Sequence, residues 1–256
     1  MPYWEPQTIG DEPYYARIGP LHLWVVCTSS EWRIAVRRDG VSASDSAAEM
    51  PEDPSAWARF SFADASRRMR LLPVLPDRPL LVRPEHELAV TSNTSCRFYV
   101  GVPCWVRVLA GAGEGQALTE IPTVTLSNTW FGAPDNGTLC YAVKTSARRS
   151  LEEVPSCAHQ VTCPVVLRNT RGEPWPFTRL CLRVAPLTVY AAGDRLWTNQ
   201  VEVRPQGDSR ADRIDVGSGA PSECTSPTEV SSPRAGRSPG LSWSRMRDLK
   251  AKINPL

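Results

Sequence analysis

Lysine is nearly missing from this chain: of its 29 basic residues, only Lys144, Lys250 and Lys252 are not arginine. With frequent alanine and proline, the arginine excess reads as the codon bias of a GC-rich genome and carries no functional weight. The charges almost cancel, at a formal +2, so nothing global points to nucleic acid as a partner. Histidine is equally scarce, with His22, His86 and His159 the whole supply of imidazole bases. No run of about eighteen apolar residues is present, so no helix that would cross a bilayer is expected. The opening Met1-Pro2-Tyr3-Trp4-Glu5-Pro6 has neither a basic nor an apolar stretch of secretory type. The expected location is therefore cytoplasmic. There the eight cysteines, scattered in spacing, are expected as free thiols and not as a disulfide framework.

Catalytic signatures are missing too. There is no GxSxG elbow and no HExxH pair. Gly111-Ala112-Gly113-Glu114-Gly115 lacks the following helix and the lysine of a phosphate-binding loop, and reads as a hairpin loop. Helix signals are few. Ser150-Leu151-Glu152-Glu153 resembles a capping box, but Pro155 ends it after one turn.

What is present is alternation. In Glu31-Trp32-Arg33-Ile34-Ala35-Val36-Arg37, the residues Trp32, Ile34 and Val36 fall on one face and Glu31, Arg33 and Arg37 on the other. Successive strand side chains point to opposite faces, so this predicts a half-buried antiparallel strand. Segments 97–100, 104–108, 178–184 and 200–204 repeat the pattern. Turn formers separate the runs, and Asn136-Gly137 suits a tight hairpin because both residues tolerate positive φ. The 24 prolines interrupt helices but are tolerated at strand edges and turns. The predicted fold is all-β, an antiparallel β-sandwich spanning residues 1–205, with two packed β subdomains joined near Pro76 to Pro84 as the other division.

From Pro205 the composition changes. Residues 206–240 are rich in Ser, Gly, Pro, Arg and Asp and are expected to be a disordered linker, since they offer little apolar surface to offset the entropy of ordering. Residues 241–256 then read as a short basic amphipathic helix, with Ser242 as cap and Trp243, Met246, Leu249 and Ile253 at helical spacing. From Arg234 onward six basic residues stand against one acid, Asp248. Such a helix forms on contact with something else. Trp243, Arg245, Met246, Arg247, Leu249, Lys250 and Ile253 would carry docking to a partner or to a membrane surface.

Several short strings, in order, resemble a known family. They include Tyr3-Trp4, Ile18-Gly19-Pro20-Leu21-His22-Leu23-Trp24-Val25, Pro73-Val74-Leu75-Pro76-Asp77-Arg78-Pro79, Phe98-Tyr99-Val100-Gly101-Val102-Pro103, Thr129-Trp130-Phe131-Gly132, Leu139-Cys140-Tyr141-Ala142 and Leu196-Trp197-Thr198. The chain thereby resembles, over residues 3–204, the prokaryotic family catalogued as domain of unknown function 432. The resemblance implies a β-rich cytosolic protein and supplies no catalytic residue.

Four constellations remain for chemistry. Cys157, His159 and Cys163 share one face if their segment is extended, and thiolate with imidazole suits zinc. Three ligands along one straight strand span too far to grip one ion, so neither metal nor cofactor is expected. Trp130, Tyr141, Lys144, Arg148 and Arg149 place aromatic rings beside cationic groups, which suits a small anionic or planar ligand. An enzyme of unrecognised type would build its site from Trp130, Tyr141, Arg148, Cys140 and His86. Finally, Arg33, Arg37, Arg97, Arg107, Arg179 and Arg183 fall on outward faces, where a salt-bridged solvated surface is favoured over a footprint for nucleic acid. The favoured reading is a noncatalytic binding module for a protein partner or small ligand, with the basic tail as tether. The alternatives are the enzyme and a peripheral membrane protein.

Overall fold

The computed structural model describes residues 2–39, 49–61, 66–84, 87–206, 212–236 and 242–245. Among them lie twenty-two strands and two single-turn 3-10 helices, Pro2–Trp4 and Pro54–Ala56. The fold is all-β. Trp32, Val106 and Leu182, which the alternation assigns to the interior, are 1%, 0% and 1% exposed. Burying a side chain of this size removes apolar surface worth roughly 1.5–3 kcal/mol from water.

The chain forms two compact units. The first comprises Met1–Leu75, Pro103–Thr125 and Ser156–Val161, the second Pro76–Val102, Leu126–Pro155 and Thr162–Leu256. The chain first crosses from one unit to the other at Pro76.

The first unit holds two antiparallel sheets. One is a meander, Tyr14–Ile18, Leu21–Cys27, Glu31–Arg38 and Trp57–Ser61, each strand paired with the next. Gly19 and Pro20 alone close its first hairpin, since Ile18 pairs with Leu21. Gly19 takes φ +60, which a two-residue loop of this kind requires at its first position, and Pro20 supplies the negative φ that follows. The other sheet orders Gln7–Thr8, Arg68–Val74, Trp105–Ala110 and Gln116–Pro122.

The second unit departs from a purely antiparallel plan. Thr138–Ala147 runs parallel to Leu80–Pro84, and Gln160–Arg168 parallel to Val201–Arg204. Parallel neighbours need a long crossover, and no local pattern in the sequence announces one. The four-stranded sheet reads Ser127–Phe131, Thr138–Ala147, Leu80–Pro84, Leu180–Leu182, so Ser127–Phe131 is an edge. The hairpin between its first two strands corrects another expectation. Phe131 pairs with Thr138, which leaves a six-residue loop, and the positive φ falls on Gly132, at +107, not on Asn136-Gly137.

Two further corrections concern the end of the chain. Within the stretch read as disordered, Asp212–Val216 and Thr228–Ser231 are strands at opposite sides of an eight-stranded sheet. The composition is poor in apolar residues, but a strand added to an existing sheet needs few. Ile214 is 5% exposed, and backbone pairing with Val201–Arg204 does the rest. The terminal helix is not found in its described part. Ser242–Arg245 is a strand on Asp212–Asp215, with Trp243 opposite Ile214 and Arg245 opposite Asp212. There the sheet edge offered by Asp212–Val216 satisfies the backbone of these four residues by pairing. Met246, Arg247, Leu249, Lys250 and Ile253 lie outside the described residues.

Candidate functional site

The strand pair Ser127–Phe131 and Thr138–Ala147 sorts its side chains by parity. Phe131 and Cys140 turn inward and pack with Leu81 and Cys181. Asn128, Trp130, Leu139 and Tyr141 share the other face, with Trp130 opposite Leu139 and Asn128 opposite Tyr141. That face is open: Trp130 is 47% and Leu139 42% exposed, although both are large and apolar.

The indole does not swing freely. Its Nε1–H donates to the Ala133 carbonyl at 3.0 Å. Gly137 lies so close beneath the ring that a Cβ there would stand 2.3 Å from Nε1. This explains why the loop is long and why position 137 is glycine. Tyr141 is tied as well. Its hydroxyl donates to Asp77 Oδ1 at 2.8 Å, and the Arg78 guanidinium sits 5.4 Å over its ring. Arg78 also donates to Asn128 Oδ1 at 2.8 Å. Burial first, then the bond to Asp77, pushes the Tyr141 hydroxyl above its ordinary pKa, so it stays a phenol at neutral pH. The result is a fixed shelf of one indole, one leucine and one phenol, edged by one guanidinium and one carboxylate. It can stack a flat or apolar group and hold an anionic substituent at Arg78.

The sequence expected different cations here. Lys144 stands in the strand Thr138–Ala147, but its side chain is outside the described set. Arg148 instead exchanges backbone hydrogen bonds with Tyr99, at 2.8 and 3.1 Å. It follows Tyr141 by seven positions, beyond an irregularity in the strand between Ala142 and Ser146, and pairs with a different strand. Arg149 lies near Cys96, whose thiol it draws down against the stronger upward push of burial. Asp77 and Arg78 take their place. They come from the turn before Leu80–Pro84 and reach the shelf only through the parallel pairing, in which Tyr141 N donates to Pro79 O at 2.8 Å.

Of the residues weighed for catalysis, His86 lies outside the described set. Cys140 is fully buried, its Sγ 3.5 Å from that of Cys181. The Cys181 thiol first, and burial second, hold its pKa far above the thiol range. A thiol so placed is no nucleophile. Among the zinc candidates, Cys163 is wholly buried and pushed up to about 12 by burial, while Cys157 is half-buried. Burial draws the His159 imidazole below its usual pKa. Among the described residues no group of three or more His, Cys, Asp or Glu side chains converges to hold a metal.

The outward arginines are largely engaged. Arg33 pairs with Glu31, Arg37 with Asp39, Arg97 with Glu223 and Arg107 with Glu120. Arg179 lies 5.4 Å over the Phe131 ring. Around Glu223 the pairing becomes a network, since Tyr99 Oη donates to Glu223 Oε1 at 3.0 Å and Arg97 to Gln200 at 2.9 Å.

A further constellation went unread in the sequence. In the first unit, Tyr15 Oη lies 2.8 Å from His22 Nδ1, and His22 Nε2 lies 2.6 Å from Asp39 Oδ2. The signal for it was the string Tyr15 to His22 folded about Gly19-Pro20, which reverses the chain in two residues.

Sheets alone, with a fixed aromatic shelf on one of them, define an all-β protein. No helix among the described residues is long and apolar enough to cross a membrane. The chain belongs to the family described as protein of unknown function (DUF432), whose model matches residues 3–247. The match runs past residue 204, where the resemblance was expected to stop, and takes in the last strands of the eight-stranded sheet. No curated protein and no solved structure matches the chain.

Proposed function

We propose that the chain is a binding module whose working surface is the shelf of Trp130, Leu139 and Tyr141, with Arg78 as its anion-holding edge. The observation that carries this reading is the pair Trp130 and Leu139, directly opposed and nearly half exposed, with the indole held in place by Ala133. Leaving two large apolar side chains in water forgoes stabilisation that burial would give, and fixing one of them lowers the entropy lost on binding. The ligand is a protein segment or small molecule that offers a flat or apolar group beside a negative charge. A photocrosslinking side chain at position 139 tests this. It should capture one discrete partner in cells, and Trp130→Ala should abolish the capture. Diffuse labelling, or capture indifferent to Trp130→Ala, would remove the shelf from the account.

The basic segment that begins at Arg234 supports a tether in the same module. Binding of the full chain to anionic vesicles that falls with salt and vanishes on deleting residues 246–256 is the expected result.

A further inference from the structure

The Tyr15–His22–Asp39 row runs from a part-exposed phenol through a buried imidazole to a part-exposed carboxylate. His22 is fully buried, and Tyr15 is part-exposed on the neighbouring strand. Asp39 follows the strand Glu31–Arg38 and spans two partners, with Oδ2 on His22 at 2.6 Å and Oδ1 3.3 Å from Arg37 Nε. Burial works to raise the Asp39 pKa, but the bond to His22 and the charges of His22 and Arg37 outweigh it, so the carboxyl is held below its usual range. A carboxylate only accepts, so Nε2 of His22 carries a proton toward Asp39. In the tautomer with its proton on Nε2, Nδ1 is an acceptor, placed 2.8 Å from the Tyr15 hydroxyl. Trp24, 5.5 Å from the Tyr15 ring and 6.0 Å from the His22 ring, holds both rings in place. Arg17 and Arg37 stand opposite His22 in register on the two flanking strands.

We propose that these three residues form a proton relay that makes Tyr15 a nucleophile and the site of covalent modification by acyl-type electrophiles bearing an anionic leaving group. The phenol oxygen bonds to the electrophilic centre as the leaving group departs with its electron pair. The phenolic proton passes to His22 Nδ1, and Asp39 holds the resulting imidazolium. Arg17 and Arg37, opposite His22 in register, add positive charge to this face of the sheet. Orienting group, base and nucleophile thus stand at hydrogen-bond spacing, with the nucleophile at one of the two part-exposed ends.

Tyr14 is the internal control. It is adjacent in the same strand, also part-exposed, and burial raises its pKa; by parity it lies on the opposite face, away from His22. The full chain is treated with an aryl sulfonyl fluoride, and adducts are mapped by mass spectrometry. Sulfonylation forms the O–S bond, breaks S–F and releases fluoride, with the proton taken by His22. The expected result is one dominant adduct on Tyr15, formed about 100-fold faster than on Tyr14 and slowed about tenfold or more by Asp39→Asn. A second measurement needs no variant. The wild-type labelling rate at Tyr15 should level off well below pH ~10, where an ordinary phenol ionises. Labelling of Tyr15 no faster than Tyr14, or a rate that climbs steadily toward that pH, would overturn the relay and leave His22 as a buried imidazole with two structural partners. Trp130→Ala should leave Tyr15 labelling unchanged, which separates this proposal from the shelf.

Discussion

Tyr15, His22 and Trp24 in the first unit, and Trp130, Leu139 and Tyr141 in the second, are both rows of large side chains on antiparallel strands, and their surroundings are opposite. In the first the rings close over a polar chain, with His22 at 0% and Trp24 at 4% exposure. In the second the apolar groups face water, and the polar contacts pin them from the side. Burial of a polar group is tolerated only when each of its atoms finds a partner, and exposure of a large apolar group is retained where something else is to cover it. Large side chains in the same kind of strand are therefore closed over a buried imidazole in one unit and left facing water in the other. Neighbours decide which.

The largest effect that could break this contrast comes from truncating one tryptophan in each unit. Trp32→Ala empties a site that is 1% exposed and should cost about 3–5 kcal/mol, read as a fall in the urea midpoint. Trp130→Ala, at a site 47% exposed, should cost less, about 1–2 kcal/mol for the lost packing and the bond to Ala133, while removing partner capture. If Trp130→Ala destabilised as much as Trp32→Ala, the shelf would be core and not a surface.

Next in size is a pair of glycines with one backbone conformation and different surroundings. Gly19 and Gly193 both adopt φ +60. A Cβ at Gly193 meets nothing within 4 Å, so Gly193→Ala should cost only the left-handed backbone term, about 1 kcal/mol. At Gly19 the added carbon would stand 2.2 Å from His159 Nδ1. Gly19→Ala should therefore cost about 2–3 kcal/mol, because the ring must move as well as the turn. Equal thermal shifts for the two variants would mean that the His159 ring relocates freely.

Much of the fold was legible because alternation is local. A residue's parity along Glu31–Arg38 or Trp105–Ala110 can be read without knowing its partner strand. Val36 shows the limit: parity puts it with Trp32 and Ile34, yet it is 36% exposed because it stands near the strand end, beyond the packed part of that face. Strand pairing is not local, and the parts of the site that depended on it were missed. Trp130 and Tyr141 share a face because one hairpin carries them. Asp77 and Arg78 were missed because only a parallel pairing across some sixty residues brings them in, as the 64-residue separation of Asp77 and Tyr141 shows. Arg148 and Arg149 were included because they are near in sequence, but an extended strand moves them away. The stretch after Pro205 misled for a related reason, since composition measures what a segment can bury by itself and not what a ready sheet edge supplies.

The smallest expected effects are in the pH response, and they sharpen the contrast between the units. In the first unit, burial keeps the folded-state pKa of His159 below the ordinary 6.5, so the unfolded chain binds the proton first. Its contribution to stability is complete above that value and is lost as the pH falls from 6.5 to the folded value. In the second, burial raises the Glu223 pKa, but a backbone hydrogen bond, the Tyr99 hydroxyl, Arg97 and Ser222 together outweigh it, and the carboxyl ends below 4.5. Its contribution is complete above 4.5 and is lost only as the pH drops beneath that. Both groups thus favour the folded chain less on acidification, in separate windows. Melting temperatures followed from about pH 7 to about pH 3 should show an upper shallow decline that His159→Gln removes and a lower one that Glu223→Gln removes. A single decline insensitive to His159→Gln would show that the ring opens to solvent in the folded state, and with it that the packing of His159 against Gly19 is looser than the turn's geometry requires.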